Sequence, residues 1–352
     1  MSSTRYPEFT VSGSPREMGN QIGEQAGDLV SRFCEVALES ANRMATASPE
    51  FAREVSAKSL EFAREYSPDL VDELEGIAEA SNVDILDLTL AQVRNQFTDD
   101  NDNACTSFSA SPSFVSDGHH IVAQTWDADP ALDEVTIVLT RKPENAPDYI
   151  SVGQAGLIGY MGFNAAGIGC CVNTLPAPIR GIGVPHYFSL RRLFEQTSLD
   201  DAVHAVESAH RAIPVNIMMT TPQGPANIEA TVDEVFLLRD ENYLVHTNHC
   251  LHETIVDINK DFPELCDSYS RFPRMTELVE QSAANISKTG IEQMFKDHDG
   301  YPGSICRHAN PDDPKHGFIE TVFAMIVDTQ AQEMYVSRGN PCTAPFETYR
   351  IR

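Results

Sequence analysis

The sequence predicts an α+β fold in which sheet layers are covered by helices, and three observations carry that prediction. Residues 15 to about 95 keep helical periodicity, the chain after Cys105 breaks into short β-rich runs separated by turn residues, and two further helical stretches interrupt those runs. Helical inserts alternating with mostly antiparallel strands fit sheets that bury one face on each other and the other under helices.

The elements follow in chain order. In SPDLVDELEGIAEAS, Ser67 is placed to cap a helix, Pro68 fits its first position, and Leu70, Leu74 and Ile77 make one apolar face. After Cys105, HHIVAQTWD, VTIVLTRK and GYMGFNAAGIGCCVNTL read as paired strands, with Gly162, Gly167 and Gly169 interrupting the last run and Asn164 marking a turn. One helical insert opens at Ser198, with Asp201 three residues later (SLDDAVHAVESAH), and another lies around RMTELVEQSAANIS. The runs PVNIMMTT, ANIEA, EVFLLRD, YLVHTNH and TVFAMIVDTQAQEMYVSRG complete the strand set. No fixed-period repeat or low-complexity linker interrupts the pattern.

Composition bounds the function. With 352 residues, 41% of them hydrophobic, the chain can bury a large core. No apolar run reaches membrane-spanning length, and MSSTRYPEFTVSGSP lacks the basic and apolar blocks of a secretion signal, so the expected location is cytoplasmic. Eight irregularly spaced cysteines then read as reduced thiols, and with no CxxC pair a structural zinc site is not expected. The net charge of -27, from 25 basic and 52 acidic residues, repels phosphate backbones and anionic lipid, which excludes nucleic-acid and membrane partners from the expectation. Only six of the basic residues are lysines, a balance also compatible with adaptation to high salt.

The stretch DDNDNACTSF concentrates the functional question. Asp99, Asn101 and Asn103 alternate as in an oxygen-ligand calcium loop, but the turn position that needs glycine is Ala104 and the position for a bidentate glutamate is Ala110. A cysteine that opens a strand behind a polar loop admits another chemistry. If the Ala104–Cys105 bond is cut, Cys105 carries nucleophile and base in one residue: the thiol attacks a carbonyl, and the α-amine, with an ordinary pKa of about 7.7 to 8.0, takes and returns the proton.

Ordered along nearly the whole chain are GSPREMGNQIG, LEGIAEASNVDILDL, ACTSF, AQTWD, GYMGFNAAGIGCCVNT, HTNHCLH and GSICRH. In this order they resemble the acyl-coenzyme A:6-aminopenicillanic acid acyltransferase (isopenicillin N acyltransferase) family of self-cleaving N-terminal-nucleophile hydrolases. The resemblance implies a four-layer αββα sandwich that is one composite domain: a helical segment of residues 1–104 and a strand-rich catalytic segment of residues 105–352, which stay associated after self-cleavage. It implies Cys105 as nucleophile, first on the Ala104 carbonyl and then on substrate. Asp127, in QTWD, matches the acid that orients the cysteine and its amine. Asn248, in HTNHC, matches the amide that donates to the oxyanion, and Arg307, in SICRH, resembles an arginine near the thiol in the wider superfamily of bile-salt and penicillin V amidases. Two positions depart from the family: Ala104 stands where glycine is common, which predicts slower cutting because its Cβ restricts the backbone, and Thr125 stands where many relatives have asparagine.

HTNHCLH also has metal-ligand residue types. On an alternating strand His246 and His252 would share a face with Asn248, and His249 would take the other; a second ligand cluster is missing, so no metal is expected there. GSPREMG lacks the spacing of a phosphate loop, and no cofactor is implied. The expected partner is a small-molecule N-acyl amide or acyl donor, processed through an acyl-thioester on Cys105 that water or an amine resolves. An acyl-coenzyme A-dependent N-acyltransferase is the alternative of the same mechanism. A non-enzymatic metal- or calcium-binding protein is the alternative of another class. The absence of a cationic cradle for coenzyme A phosphates favours hydrolysis.

Overall fold

The computed structural model describes residues 3–44, 48–97, 104–262, 266–314 and 316–351. Asp99, Asn101 and Asn103, the positions weighed as calcium ligands, lie outside these residues.

A short strand with no counterpart in the sequence pattern, β1 (Glu8–Gly13), comes first, followed by helices α1 (Pro15–Met44), α2 (Pro49–Tyr66), α3 (Pro68–Ser81) and α4 (Ile85–Val93). Side chains cap three of them: Ser14 accepts from the Glu17 N–H, Ser48 from the Phe51 N–H and Asp84 from the Leu86 N–H. Ser67 precedes α3 as expected but makes no side-chain cap bond; its backbone N–H instead closes α2 on the Ala63 carbonyl. Two glycines let α1 and α3 touch backbone to backbone. A Cβ at Gly19 would lie 2.1 Å from the Glu73 carbonyl oxygen, and one at Gly76 would lie 2.8 Å from that of Arg16. This contact explains why GSPREMG and LEGIAEAS carry glycine inside helices.

The strands then follow: β2 (Cys105–Ala110), β3 (Ile121–Ala128), β4 (Thr136–Pro143), β5 (Tyr149–Gln154), β6 (Met161–Asn164) and β7 (Gly169–Thr174). Asn164 makes the turn between the last two. Its Oδ1 accepts from the Ala166 and Ile168 N–H groups, and its Nδ2 donates to the Phe194 and Gln196 carbonyls. Helix α5 (His186–Phe194), which the sequence pattern did not announce, precedes α6 (Leu199–Glu207), where Ser198 caps by accepting from the Asp201 N–H. Strands β8 (Val215–Thr221), β9 (Gly224–Ala230), β10 (Val235–Arg239) and β11 (Tyr243–His246) come next, then helices α7 (Cys266–Gln281) and α8 (Lys288–Met294). Helix α7 starts earlier than RMTELVEQ suggested and contains Pro273, while Ala283 and Ala284 take positive φ and end the run. Strands β12 (Glu320–Asp328), β13 (Glu333–Arg338) and β14 (Phe346–Arg350) close the chain.

Two sheets result among the described residues. One runs β1-β4-β5-β6-β7-β8-β9-β10, the other β11-β2-β3-β12-β13-β14, and β1 with β4 is the parallel pair. Alternation along β3 and β12 defines the layers. Val122, Met325 and Val327 enter the core between the sheets with Cys171 and Met218. The residues between them, Ala123, Ala324 and Ile326, face Met275 and Val279 of α7 and Ile291 of α8. Helices α1, α5 and α6 pack on the larger sheet and α7 on the smaller, so the fold is a four-layer αββα sandwich. Strands covered on both faces lose their polar side, which is why VFAMIV reads as continuously apolar.

The main core takes residues from both sides of Cys105. Met18, Leu70 and Ile77 of the helices join Ile150, Phe163 and Met218 of the strands. A fully buried ion network reinforces this union: Glu73 of α3 accepts from Arg141 of β4 at 2.8 Å and from Arg191 of α5 at 3.3 Å. No helix among the described residues is long and apolar enough to cross a membrane.

Candidate active site

Cys105 is the first residue of β2, paired with Trp126 of β3, and its side chain belongs to the core between the sheets. It is 1% exposed. Both backbone polar groups of this residue are fixed by side chains from distant parts of the chain. Its N–H donates to Asn248 Oδ1 at 2.9 Å, and its carbonyl accepts from Arg271 Nη1 at 2.6 Å. Arg271 also donates to Asn248 Oδ1 at 2.8 Å and to Thr106 Oγ1 at 2.9 Å, so one guanidinium ties the cysteine to the amide beside it.

The preceding peptide is held as well. The Ala104 carbonyl oxygen accepts the Asp127 backbone N–H at 3.1 Å. The carbonyl that self-cleavage would attack is therefore already in a hydrogen bond from β3.

Asp127 is fully buried. Its Oδ1 accepts from Thr321 Oγ1 at 2.7 Å, and its Oδ2 has no hydrogen-bond partner among the described residues. Burial pushes this carboxyl up to about 6, against the pull of Arg271, Arg307 and the Thr321 hydroxyl. Burial also pushes the Cys105 thiol up to about 12, and the Asp127 charge adds to the rise; the Asp127 N–H, Arg271 and Gln124 oppose it. In the uncut chain the sulfur is thus a thiol at neutral pH and needs a proton acceptor to react.

Asn248 lies just past β11, in a loop pinned to α7. Its N–H donates to Ser268 Oγ at 2.8 Å, and His249 Nδ1 lies 2.8 Å from the same hydroxyl. The amide oxygen faces Cys105, while Nδ2 donates to Thr174 Oγ1 at 2.9 Å. In this state the expected oxyanion donor thus presents its acceptor end to the cysteine.

Arg307 occupies the strap between α8 and β12. Its Nη1 donates to Asp267 Oδ2 at 3.0 Å, and its backbone N–H donates to Thr321 Oγ1 at 2.9 Å, which in turn donates to Asp127. The arginine in hydrogen-bond contact with Cys105 is therefore Arg271, and Arg307 acts on Asp127 through its charge and through Thr321. Sequence motifs alone do not reveal Arg271. It lies on the buried side of α7, where Ser268, Arg271, Met275 and Val279 are all buried at helical spacing. Gln124 is likewise absent from the motif-derived set; it clamps the two sheets by accepting from the Val172 N–H and donating to the Val172 carbonyl.

The residues of HTNHCLH separate because β11 ends at His246 and strand alternation stops there. His246 Nε2 lies 2.7 Å from the buried Glu229 carboxylate, His249 is on Ser268, and the His252 ring stacks on Phe236. The metal-ligand types that do converge among the described residues lie elsewhere, around Cys306.

The family model described as acyl-coenzyme A:6-aminopenicillanic acid acyl-transferase matches residues 115–342. A curated relative, the 40 kDa form of acyl-coenzyme A:6-aminopenicillanic-acid-acyltransferase from Emericella nidulans, is 26% identical over 348 residues, covering 97% of this chain and 94% of that one. Among solved structures, a variant of conjugated bile acid hydrolase from Clostridium perfringens aligns at 13% identity with a TM-score of 0.46, over 70% of this chain and 97% of that one. Penicillin V acylase from Agrobacterium tumefaciens aligns at 12% identity with a TM-score of 0.45, over 66% of this chain and 83% of that one. The match across nearly two thirds of the sequence shows that the chain belongs to the acyl-coenzyme A:6-aminopenicillanic acid acyl-transferase family.

Proposed function

We propose that this family member is a self-cleaving cysteine amidohydrolase acting on a small N-acyl amide through an acyl-thioester on Cys105. The observation that carries the reading is the pair of side-chain anchors on one buried cysteine: Asn248 Oδ1 on its N–H and Arg271 on its carbonyl. Two anchors from distant elements hold an N-terminal nucleophile in register after its chain is cut.

Cutting begins when the Cys105 sulfur attacks the Ala104 carbonyl carbon, its thiol proton passing to the Cys105 nitrogen that will leave. Negative charge develops on the oxygen that the Asp127 N–H already contacts at 3.1 Å, a donor in place before the reaction starts. Collapse breaks the C–N bond and leaves residue 104 as a thioester. Water then hydrolyses the thioester, giving an Ala104 carboxylate and a free Cys105 with thiol and α-amine.

In turnover the α-amine accepts the thiol proton, and the sulfur adds to the substrate carbonyl. Asn248 Oδ1 and the Asp127 carboxylate hold the resulting ammonium. The Asn248 NH2 group, now on Thr174, is the donor for the substrate oxyanion. The leaving amine takes the proton from the α-ammonium as the C–N bond breaks, and water attacks the acyl-thioester to release the acid. An amine attacking the same intermediate gives transfer instead, and the name of the Emericella relative supports that second reading. The strongly acidic chain favours water, because a coenzyme A phosphate needs cations, and Arg271 and Arg307 are already engaged.

The two segments joined by the common core and by the Glu73 network stay together after cutting. Intact-mass measurement of freshly purified protein tests the reading. Fragments of 104 and 248 residues, the larger beginning CTSF, are expected, and Cys105→Ala should give the uncut chain alone. A wild-type chain that stays uncut while turning over substrate overturns it.

A further inference from the structure

We propose that His298, Cys306, His308 and Cys342 form a mononuclear tetrahedral metal centre that takes zinc. Their four ligand atoms all lie within 4.8 Å of one another. Three of the edges come close to those of a filled site. Cys306 Sγ and Cys342 Sγ are each 3.6 Å from His308 Nε2, and His298 Nε2 is 3.0 Å from His308 Nε2. With zinc–sulfur bonds of about 2.3 Å and zinc–nitrogen bonds of about 2.05 Å, a tetrahedron has sulfur–nitrogen edges of about 3.6 Å and a nitrogen–nitrogen edge of about 3.3 Å. A hydrogen-bonded histidine pair alone would account for the shortest edge, but not for two thiols converging on the same nitrogen.

The chemistry of the set selects the metal. Two sulfur and two imidazole ligands suit a borderline-soft ion, and the oxygen donors that magnesium or calcium would need are not among the four. Binding would replace two thiol protons by one Zn(II), releasing both protons and leaving two thiolates and two neutral imidazoles around the ion, with no net charge. Neither an oxidant nor a reductant is required.

The backbone brings the ligands in from three places. His298 follows α8, Cys306 and His308 flank Arg307 on the strap before β12, and Cys342 lies between β13 and β14. Local bonds already hold the strap. The Cys306 N–H donates to the Asp297 carbonyl, the His308 N–H to the Pro302 carbonyl, and Asn340 Nδ2 to the Arg307 carbonyl at 2.7 Å. The two cysteines stand in separate segments, one before β12 and one after β13, which is why paired CxxC motifs do not reveal the set. The centre would staple the strap that carries Arg307 to the β13–β14 connection, and so would set the position of the arginine whose charge acts on Asp127.

Zinc content of the untagged full-length chain, measured by inductively coupled plasma mass spectrometry after dialysis, tests the proposal. Stoichiometric zinc is expected in wild type and also in Cys105→Ala, which excludes the nucleophile as its holder. Cobalt(II) loaded in place of zinc should show the visible bands of a tetrahedral ion with thiolate charge transfer. Cys342→Ser and the surface variant His298→Ala should each weaken zinc binding at least about tenfold in competition with a chromogenic chelator. His298 is exposed, so its loss leaves the fold standing even where Cys342→Ser does not. A folded wild-type chain that retains no zinc after loading overturns the proposal. So do undiminished zinc in His298→Ala and recovery of Cys306 and Cys342 as a disulfide-linked pair from native protein.

Discussion

Arg271 Nη1 donates to the Cys105 carbonyl at 2.6 Å across 166 residues of sequence, and the same guanidinium reaches Asn248 Oδ1 at 2.8 Å. Burial lowers the pKa of this arginine, yet Asp127 and Cys105 oppose that shift, so a planar cation sits inside the site as a brace. Replacing it by lysine keeps a charge but removes the fork. Arg271→Lys should slow cutting and turnover by about 100-fold, the scale expected when a preorganised charged donor is lost. A time course of intact mass and a kcat measurement check this, with circular dichroism to verify the fold. Normal rates in Arg271→Lys would show that the guanidinium geometry is irrelevant.

Asp127 makes stability depend on pH in an unusual direction for a carboxylate. Its pKa is raised from 3.8 to about 6, so between those values the folded chain holds a proton that the unfolded chain has released. Stability therefore falls as pH rises through that window, by on the order of 3 kcal/mol at its upper end. Asp127→Asn, placed in the uncut Cys105→Ala background, should flatten this slope and melt higher at pH 7 than its parent. Thermal melts at pH 4.5 and 7 measure it. Parallel slopes in the two proteins would mean the carboxyl is not the titrating group.

Glu73 tests how the two segments are joined. It is wholly buried between Arg141 and Arg191, and removing one partner of such a network strands buried charge. Glu73→Gln should cost about 3 to 5 kcal/mol. The loss should be read as a lower melting temperature that added salt does not change, because a pair shielded from solvent is barely screened. A surface-like response, with the deficit vanishing at high salt, would place the network in contact with water.

Much of this fold is legible in the sequence, and the parts that are not have physical causes. Pro68 and Ser198 mark helix starts through local chemistry, and Asn164 marks a turn because its own side chain builds it. Cys105 reads as a strand opening because polar and apolar composition changes there. Helix α5 escapes the pattern because it is only nine residues long and buried on nearly every side, so HYFSLRRLF shows no polar face to alternate with an apolar one. Periodicity starts helix α7 only after Pro273, a residue that ordinarily breaks helices, and so leaves Ser268 and Arg271 outside any element. Asn248 is found through its motif, but the direction of its amide depends on Arg271 and Thr174, which no local pattern reports.

Asn248 is the next variant to make. Its Oδ1 contacts the Cys105 N–H, and its Nδ2 contacts Thr174. If the amide both orients the amine and donates to the oxyanion, Asn248→Ala should lower kcat by about 10² to 10³ with a smaller change in KM. Asn248→Asp keeps the acceptor end and removes the donor, so it should process the chain better than alanine does while remaining poor in turnover. Equal processing and turnover in both variants would exclude the oxyanion role.

The last prediction separates water from amine at the shared acyl-thioester. A site built for water releases acid and amine from an N-acyl amide at a rate little affected by added amines. A transferase diverts the acyl group into a new amide at the expense of free acid, because amine and water compete for one intermediate. The charge of -27 and the prior engagement of Arg271 and Arg307 leave little to hold coenzyme A phosphates, so hydrolysis should dominate. Mass spectrometry of the product ratio across a series of amine concentrations measures the competition, with acyl-coenzyme A supplied in parallel as donor. Chiefly new amide from acyl-coenzyme A, with little free acid, would reverse the preference for water and leave Cys105 as the nucleophile.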